Sequence, residues 1–187
     1  MKSTQTLRRL ATAVLLMAGL GASSAFGQFT ANTGTTSLNV TVAAEASIQI
    51  DTGTTGLTSS NTLFADYTGS TNYSYKIRTS QGGGGTGSVT LKITTDFSPA
   101  GGPSVTTPPT AGDALTYTCS AVAPATACSS TQISSTVSST SVASFGSDAH
   151  SAKAGNSSNS VSWTLSNDPV YKTGAYSAVA TFTISAS

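Results

Sequence analysis

The sequence predicts an all-β chain, folded as an antiparallel β-sandwich of about seven to eight strands. Three observations carry that expectation. First, residues 173–186 read T-G-A-Y-S-A-V-A-T-F-T-I-S-A, with Tyr176, Ala178, Ala180, Phe182 and Ile184 on alternate positions. A period of two, rich in Thr and aromatics, marks a half-buried strand. Second, no stretch beyond the first 27 residues sustains a 3.6-residue apolar period. Third, only 8% of residues are charged, while Ser, Thr and Gly abound between the apolar positions. Outward faces built from hydroxyls instead of charges fit an exported β protein, and the low net charge of +1 argues against a disordered chain.

Taken in order, the chain begins with a leader. Lys2, Arg8 and Arg9 precede the short apolar run of residues 10–20, and Ala25-Phe26-Gly27 supplies small residues for a signal peptidase. The run is too short to span a bilayer, which takes roughly 20 residues. Cleavage is expected after Gly27. Removing 27 of 187 residues leaves 160, with five basic and seven acidic side chains and a net charge of −2. Secretion to the extracellular space, cell surface or periplasm follows, with no membrane span retained. Residues 28–36 are polar and read as a flexible arm, and residues 37–187 as a single sandwich domain.

Within that domain, Leu38, Val40, Val42, Ala44, Ala46, Ile48 and Ile50 alternate, predicting one long strand or two joined at a bend near the alanines. Residues 51–60 form a loop, and Leu63-Phe64 is expected to dip back into the core. Tyr73, Tyr75 and Ile77 alternate over residues 72–79; Val89, Leu91 and Ile93 do so over residues 88–95. The two runs flank a glycine-rich tip at residues 82–85 and are expected to pair as a hairpin. The four prolines of residues 99–112 mark a surface loop. Leu115 and Tyr117 suit another strand; the serine-rich stretch 129–147 is harder to place. Val161, Trp163 and Leu165 share a face, and Asn167-Asp168-Pro169 turns the chain into its closing strand.

Candidate chemistry is sparse. Cys119 and Cys128 are the only cysteines, and export permits a disulfide between them. Their spacing is not that of a redox motif. Closing so short a loop should contribute about 2–3 kcal/mol, a local staple. His150 is the sole histidine and no G-x-S-x-G elbow exists, so no catalytic residue is assigned. Asp51, Asp66, Asp96, Asp113, Asp148 and Asp168 are isolated in sequence and suit turn capping better than calcium. Glu45 is the only glutamate, and the glycine run at 82–85 lacks the Gly-Lys-Ser/Thr of a phosphate loop. No metal site and no cofactor is expected. Tyr67, Tyr73, Tyr75, Tyr117, Tyr171, Tyr176 and Trp163 are assigned mainly to core packing. No basic patch offers a grip for nucleic acid.

The ending G-A-Y-S-A-V-A-T-F-T-I-S-A and the opening L-N-V-T-V-A-A-E-A-S-I-Q-I resemble the terminal strands of bacterial secreted immunoglobulin-like domains. Spore-coat-U-type and other fimbrial pilins and WxL-type surface proteins are of this kind; a W-x-L tripeptide occurs here as Trp163-Thr164-Leu165. The resemblance implies an immunoglobulin-like, pilin-like sandwich and a non-catalytic structural or adhesion role as a fimbrial-like subunit or matrix component. Its partners would be other proteins or copies of itself at the cell surface. A carbohydrate-binding module using exposed aromatics, with glycans as partners, is the alternative, and a hydrolase the least favoured reading. Donor-strand subunits carry an alternating apolar N-terminal extension, for which residues 28–36 offer only Phe29 and Ala31.

Overall fold

The computed structural model of the protein describes residues 33–187; the leader expected over 1–27, and residues 28–32 of the expected arm, lie outside them. Residues 33–40 belong to an N-terminal unit and carry no strand. All ten strands lie within Thr41–Ser187. They are β1 (Glu45–Ile50), β2 (Thr58–Ser59), β3 (Tyr67–Arg78), β4 (Gly87–Ser98), β5 (Thr116–Ser120), β6 (Thr126–Ala127), β7 (Gln132–Ile133), β8 (Thr140–Phe145), β9 (Asn156–Leu165) and β10 (Ser177–Ala186). Among the described residues there is no helix.

Two antiparallel sheets result. One runs β1-β3-β9-β5-β7, with β2 paired to β3; the other runs β10-β4-β8-β6. The core lies between them, because the period of two sends alternate side chains of each strand to the same side. Tyr73, Tyr75 and Ile77 from β3 and Val161, Trp163 and Leu165 from β9 meet Val89, Leu91 and Ile93 from β4 and Val142 and Phe145 from β8. Tyr75 packs edge-on against Phe145 at 5.0 Å between ring centres, an attractive aromatic geometry across the sheets. Each fully buried side chain of this size contributes about 1.5–3 kcal/mol. The outer faces carry hydroxyls: Ser88 with Ser185 at 3.1 Å and Thr94 with Thr181 at 2.9 Å bond across β4 and β10. Such cross-strand pairs do on this surface what charge pairs do elsewhere.

Four expectations need correction. Strands β3 and β4 do not form a hairpin; they lie in different sheets, and residues 79–86 arch from one to the other. That arch is fixed by Ser80 N–H donating to the Ser187 carbonyl and Asp148 N–H donating to that of Ser80. Alternation reveals which side chains face inward but not which strand lies alongside. The long opening strand shrinks to β1, leaving residues 38–44 in no strand. The Leu63-Phe64 pair does not enter the core, being 88% and 63% exposed. Finally, the strands among the described residues number ten, not seven to eight, because the two-residue strands β2, β6 and β7 are too short to show alternation. The serine-rich stretch, hard to place from its sequence, supplies β8, whose Val142, Ala143 and Phe145 are buried, while Ile133 and Val137 face solvent.

Candidate interaction groove

The two lateral sides of the sandwich differ in how the sheets meet. On one side the edge strands β6 and β7 are two residues long. There the chain passes from β5 in one sheet to β6 in the other, and Cys119–Cys128 joins the sheets with 5.5 Å between Cα atoms. Cys128 N–H donates to the Val142 carbonyl of β8. The crossing segment is tied down by buried polar groups. Tyr75 donates its hydroxyl to the Val122 carbonyl at 2.6 Å and accepts from Ala125 N–H. Asn159, fully buried, accepts from Val122 N–H at 2.8 Å and donates to the Tyr73 carbonyl at 3.1 Å. The staple is short in sequence, yet it clasps both layers.

On the other side β1 and β10 adjoin, each paired along one edge only among the described residues. Strand β10 is ten residues long and has neither a charge nor a proline. Natural sheet edges are usually blunted by charges, prolines or shortness. Its inward side chains Ala178, Ala180, Phe182 and Ile184 are only half-buried, although the facing Leu91 and Ile93 of β4 are sealed. An open groove of about 1270 Å³ enters between the sheets here, with Ile93 and Trp163 on its floor and Ala178, Ala180 and Phe182 along one wall.

The opposite wall is the segment 51–64, and its placement is specific. Trp163 Nε1–H donates to Thr71 Oγ1 at 2.8 Å, and that oxygen lies 2.6 Å from Thr55 Oγ1. Residues 55–57 cross directly over Gly69 of β3, where a Cβ would stand 2.6 Å from the Gly56 carbonyl oxygen. Only glycine permits that approach. At the rim, Asp96 gathers the proline-rich loop: its carboxylate accepts from Phe97, Val105 and Thr106 N–H and from the Ser104 hydroxyl. Partial burial pushes its pKa up, but these four bonds outweigh it and hold the group down at about 2. Tyr171 donates to Asp113 at 3.2 Å; burial first, and the Asp113 charge second, raise the Tyr171 pKa. Thr110 donates to Asp168, which also accepts from Val170 N–H, so this carboxylate caps a turn as expected.

The other singled-out residues are dispersed. His150 is exposed, and its Nδ1 meets the Asp148 backbone carbonyl oxygen at 2.9 Å. Among the described residues, no three His, Cys, Asp or Glu side chains cluster as metal ligands do. Asp51 accepts from Ser74 and Gln49 on the outer face. Tyr73, Tyr75, Tyr117 and Trp163 are buried, as the packing argument expects, whereas Tyr67, Tyr171 and Tyr176 are half-buried near the groove. Among the described residues, one buried side-chain polar atom has no partner: the Tyr73 hydroxyl, whose pKa burial and then neighbouring Tyr75 push up to about 12. Sequence reasoning missed the groove. Its signal was present in the closing strand, which is long and carries neither a charge nor a proline. Comparison with family models, curated proteins and solved structures finds no match to this chain.

Proposed function

We propose that the chain is an exported, non-catalytic subunit of a surface or extracellular assembly, joined to its neighbours by strand addition at the open side of the sandwich. The observation that carries this reading is β10: a long, uncharged edge whose inner side chains line an open groove. Extended segments bind such edges through main-chain hydrogen bonds, while alternate side chains fill the pockets beneath.

The strand order supports an immunoglobulin-like reading with one strand missing. The run β1-β3-β9-β5 matches the A-B-E-D sheet of that fold, and β10-β4 matches F-C. A G strand would pair with the free edge of β10, and no strand among the described residues takes that place. The same chain carries a segment suited to it. Leu38, Val40 and Val42 alternate with Asn39 and Thr41, lie in no strand and are 92%, 86% and 61% exposed. We assign this segment of a second copy as the added strand. Its lack of charge matches a groove whose only charged lining groups among the described residues are Asp168 and Lys172. Donor and acceptor are different surfaces, so the contact is head-to-tail and builds an open chain of subunits. The glycan alternative would rest on Tyr67, Tyr171 and Tyr176, which are half-buried along the groove, since Trp163 is only 6% exposed.

Size-exclusion chromatography with light scattering on the exported chain tests this. Concentration-dependent oligomers are expected. Val40→Asp should abolish the donor and Ala180→Asp the acceptor, each leaving a folded monomer, and mixing the two should give dimers and nothing longer. A strictly monomeric chain at high concentration would overturn the proposal.

A further inference from the structure

Leu63 and Phe64 stand at the mouth of the groove, and no packing among the described residues explains them. Both side chains are exposed, yet the turn that presents them is built: Ala65 N–H donates to the Thr62 carbonyl, Thr62 N–H to Ser60 Oγ, and Asn167 Nδ2 to the Ala65 carbonyl at 3.2 Å. That last bond ties the tip to the segment following β9. Phe64 has φ of 56°, in the left-handed region where a bulky side chain is a genuine outlier. Such strain persists where the surrounding structure holds it in place. A glycine or asparagine at this position would relieve it. The sequence instead holds two large apolar side chains in solvent beside a sparsely charged groove, both lining its wall.

We infer that Leu63 and Phe64 form a clasp that closes on the strand seated against β10, packing at the groove mouth against the apolar side chains that strand inserts and slowing its release. This rests on the assembly reading above, with residues 38–42 of a second copy as the occupant. The clasp does not create the site, which β10 and the groove floor supply. It adds apolar cover to a strand otherwise open to water along one flank, and it acts mainly on dissociation.

The test uses a fluorescein-labelled peptide of residues 36–44 (TSLNVTVAA) and the full exported chain carrying Val40→Asp, so that its own segment does not compete. Fluorescence anisotropy reads binding, and a dilution chase reads release. Leu63→Ser/Phe64→Ser should weaken peptide binding at least tenfold, mostly through faster release. Phe64→Gly should loosen the peptide while leaving the melting temperature unchanged or raised, because it removes both the ring and the strain. Opposite movement of affinity and stability is the signature that a merely structural pair would not give. Equal peptide affinity in the serine variant overturns the clasp and leaves the assembly reading standing. A loss of affinity matched by an equal fall in melting temperature also overturns it. A peptide that fails to bind even with Leu63 and Phe64 intact overturns the clasp and the assembly reading together.

Discussion

The closed and open sides of this sandwich solve the same problem in opposite ways. Every sheet ends in strands with unpaired backbone groups, and these must be hidden or shortened if the molecule is to stay alone. The side bearing Cys119 and Cys128 does both: β6 and β7 are two residues each, and a covalent bond holds the layers together. The side bearing β1 and β10 does neither along β10. A chain that defends one flank so thoroughly had the means to defend the other. In the assembly reading proposed above, the long, uncharged edge of β10 is the surface kept for a partner.

Breaking the closed side should have the largest effect on stability. Cys119→Ser/Cys128→Ser is expected to cost about 2–3 kcal/mol, lowering the melting temperature by roughly 4–12 °C for a domain of this size. Assembly should survive in whatever fraction remains folded. A double variant as stable as the parent in a thermal melt would mean the hydrogen-bonded crossing closes that flank without help.

The two tyrosines of β3 sharpen the contrast, because they sit two residues apart on one face but serve different flanks. Tyr75 reaches the closed side, where its hydroxyl donates to Val122 and accepts from Ala125. Tyr73 leans toward the open side, its ring 6.0 Å from that of Phe182 in β10, with its hydroxyl unpartnered. Tyr75→Phe removes the hydroxyl's bonds to Val122 and Ala125 but leaves Ala125 N–H donating to the Val122 carbonyl at 3.2 Å, and should cost about 0.5–1.5 kcal/mol in chemical denaturation. Tyr73→Phe removes a buried hydroxyl that bonds nothing and should be neutral or stabilising. If the two substitutions cost the same, the flanks are not energetically distinct.

That contrast also marks where the sequence could be read and where it could not. The inward set was legible: Tyr73, Tyr75, Ile77, Val89, Leu91 and Ile93 are all buried, because alternation encodes a face directly. The partners were not. Nothing local distinguishes a hairpin from the arch of residues 79–86, since both need a glycine-rich tip between two alternating runs. Apolar character misled at Leu63-Phe64 and again at residues 38–44, where burial was expected and exposure found. Both places adjoin the proposed function, one on the groove and the other as its occupant. Local rules fail most often where a surface is held for something outside the chain.

The smallest expected effect is confined to the open side and is driven by pH. Asp96 holds the proline-rich loop at the groove rim through four hydrogen bonds to its carboxylate, which keep its pKa at about 2, below the ordinary 3.8. A depressed folded-state pKa means that the ionised group favours the folded form. That contribution is complete above the ordinary value and disappears as pH falls through the folded one, so the window is about pH 4 down to pH 2. The group is partly exposed and solvent screens it, so global stability should change little. Local opening is the sensitive readout: amide exchange at Val105 and Thr106 should quicken relative to Val122 and Ala125 as that window is crossed. Asp96→Asn should raise exchange at the first two at neutral pH and flatten their dependence on acid. Uniform acceleration at all four amides would mean that acid loosens both flanks alike, and that the rim is not a separately held part of the open side.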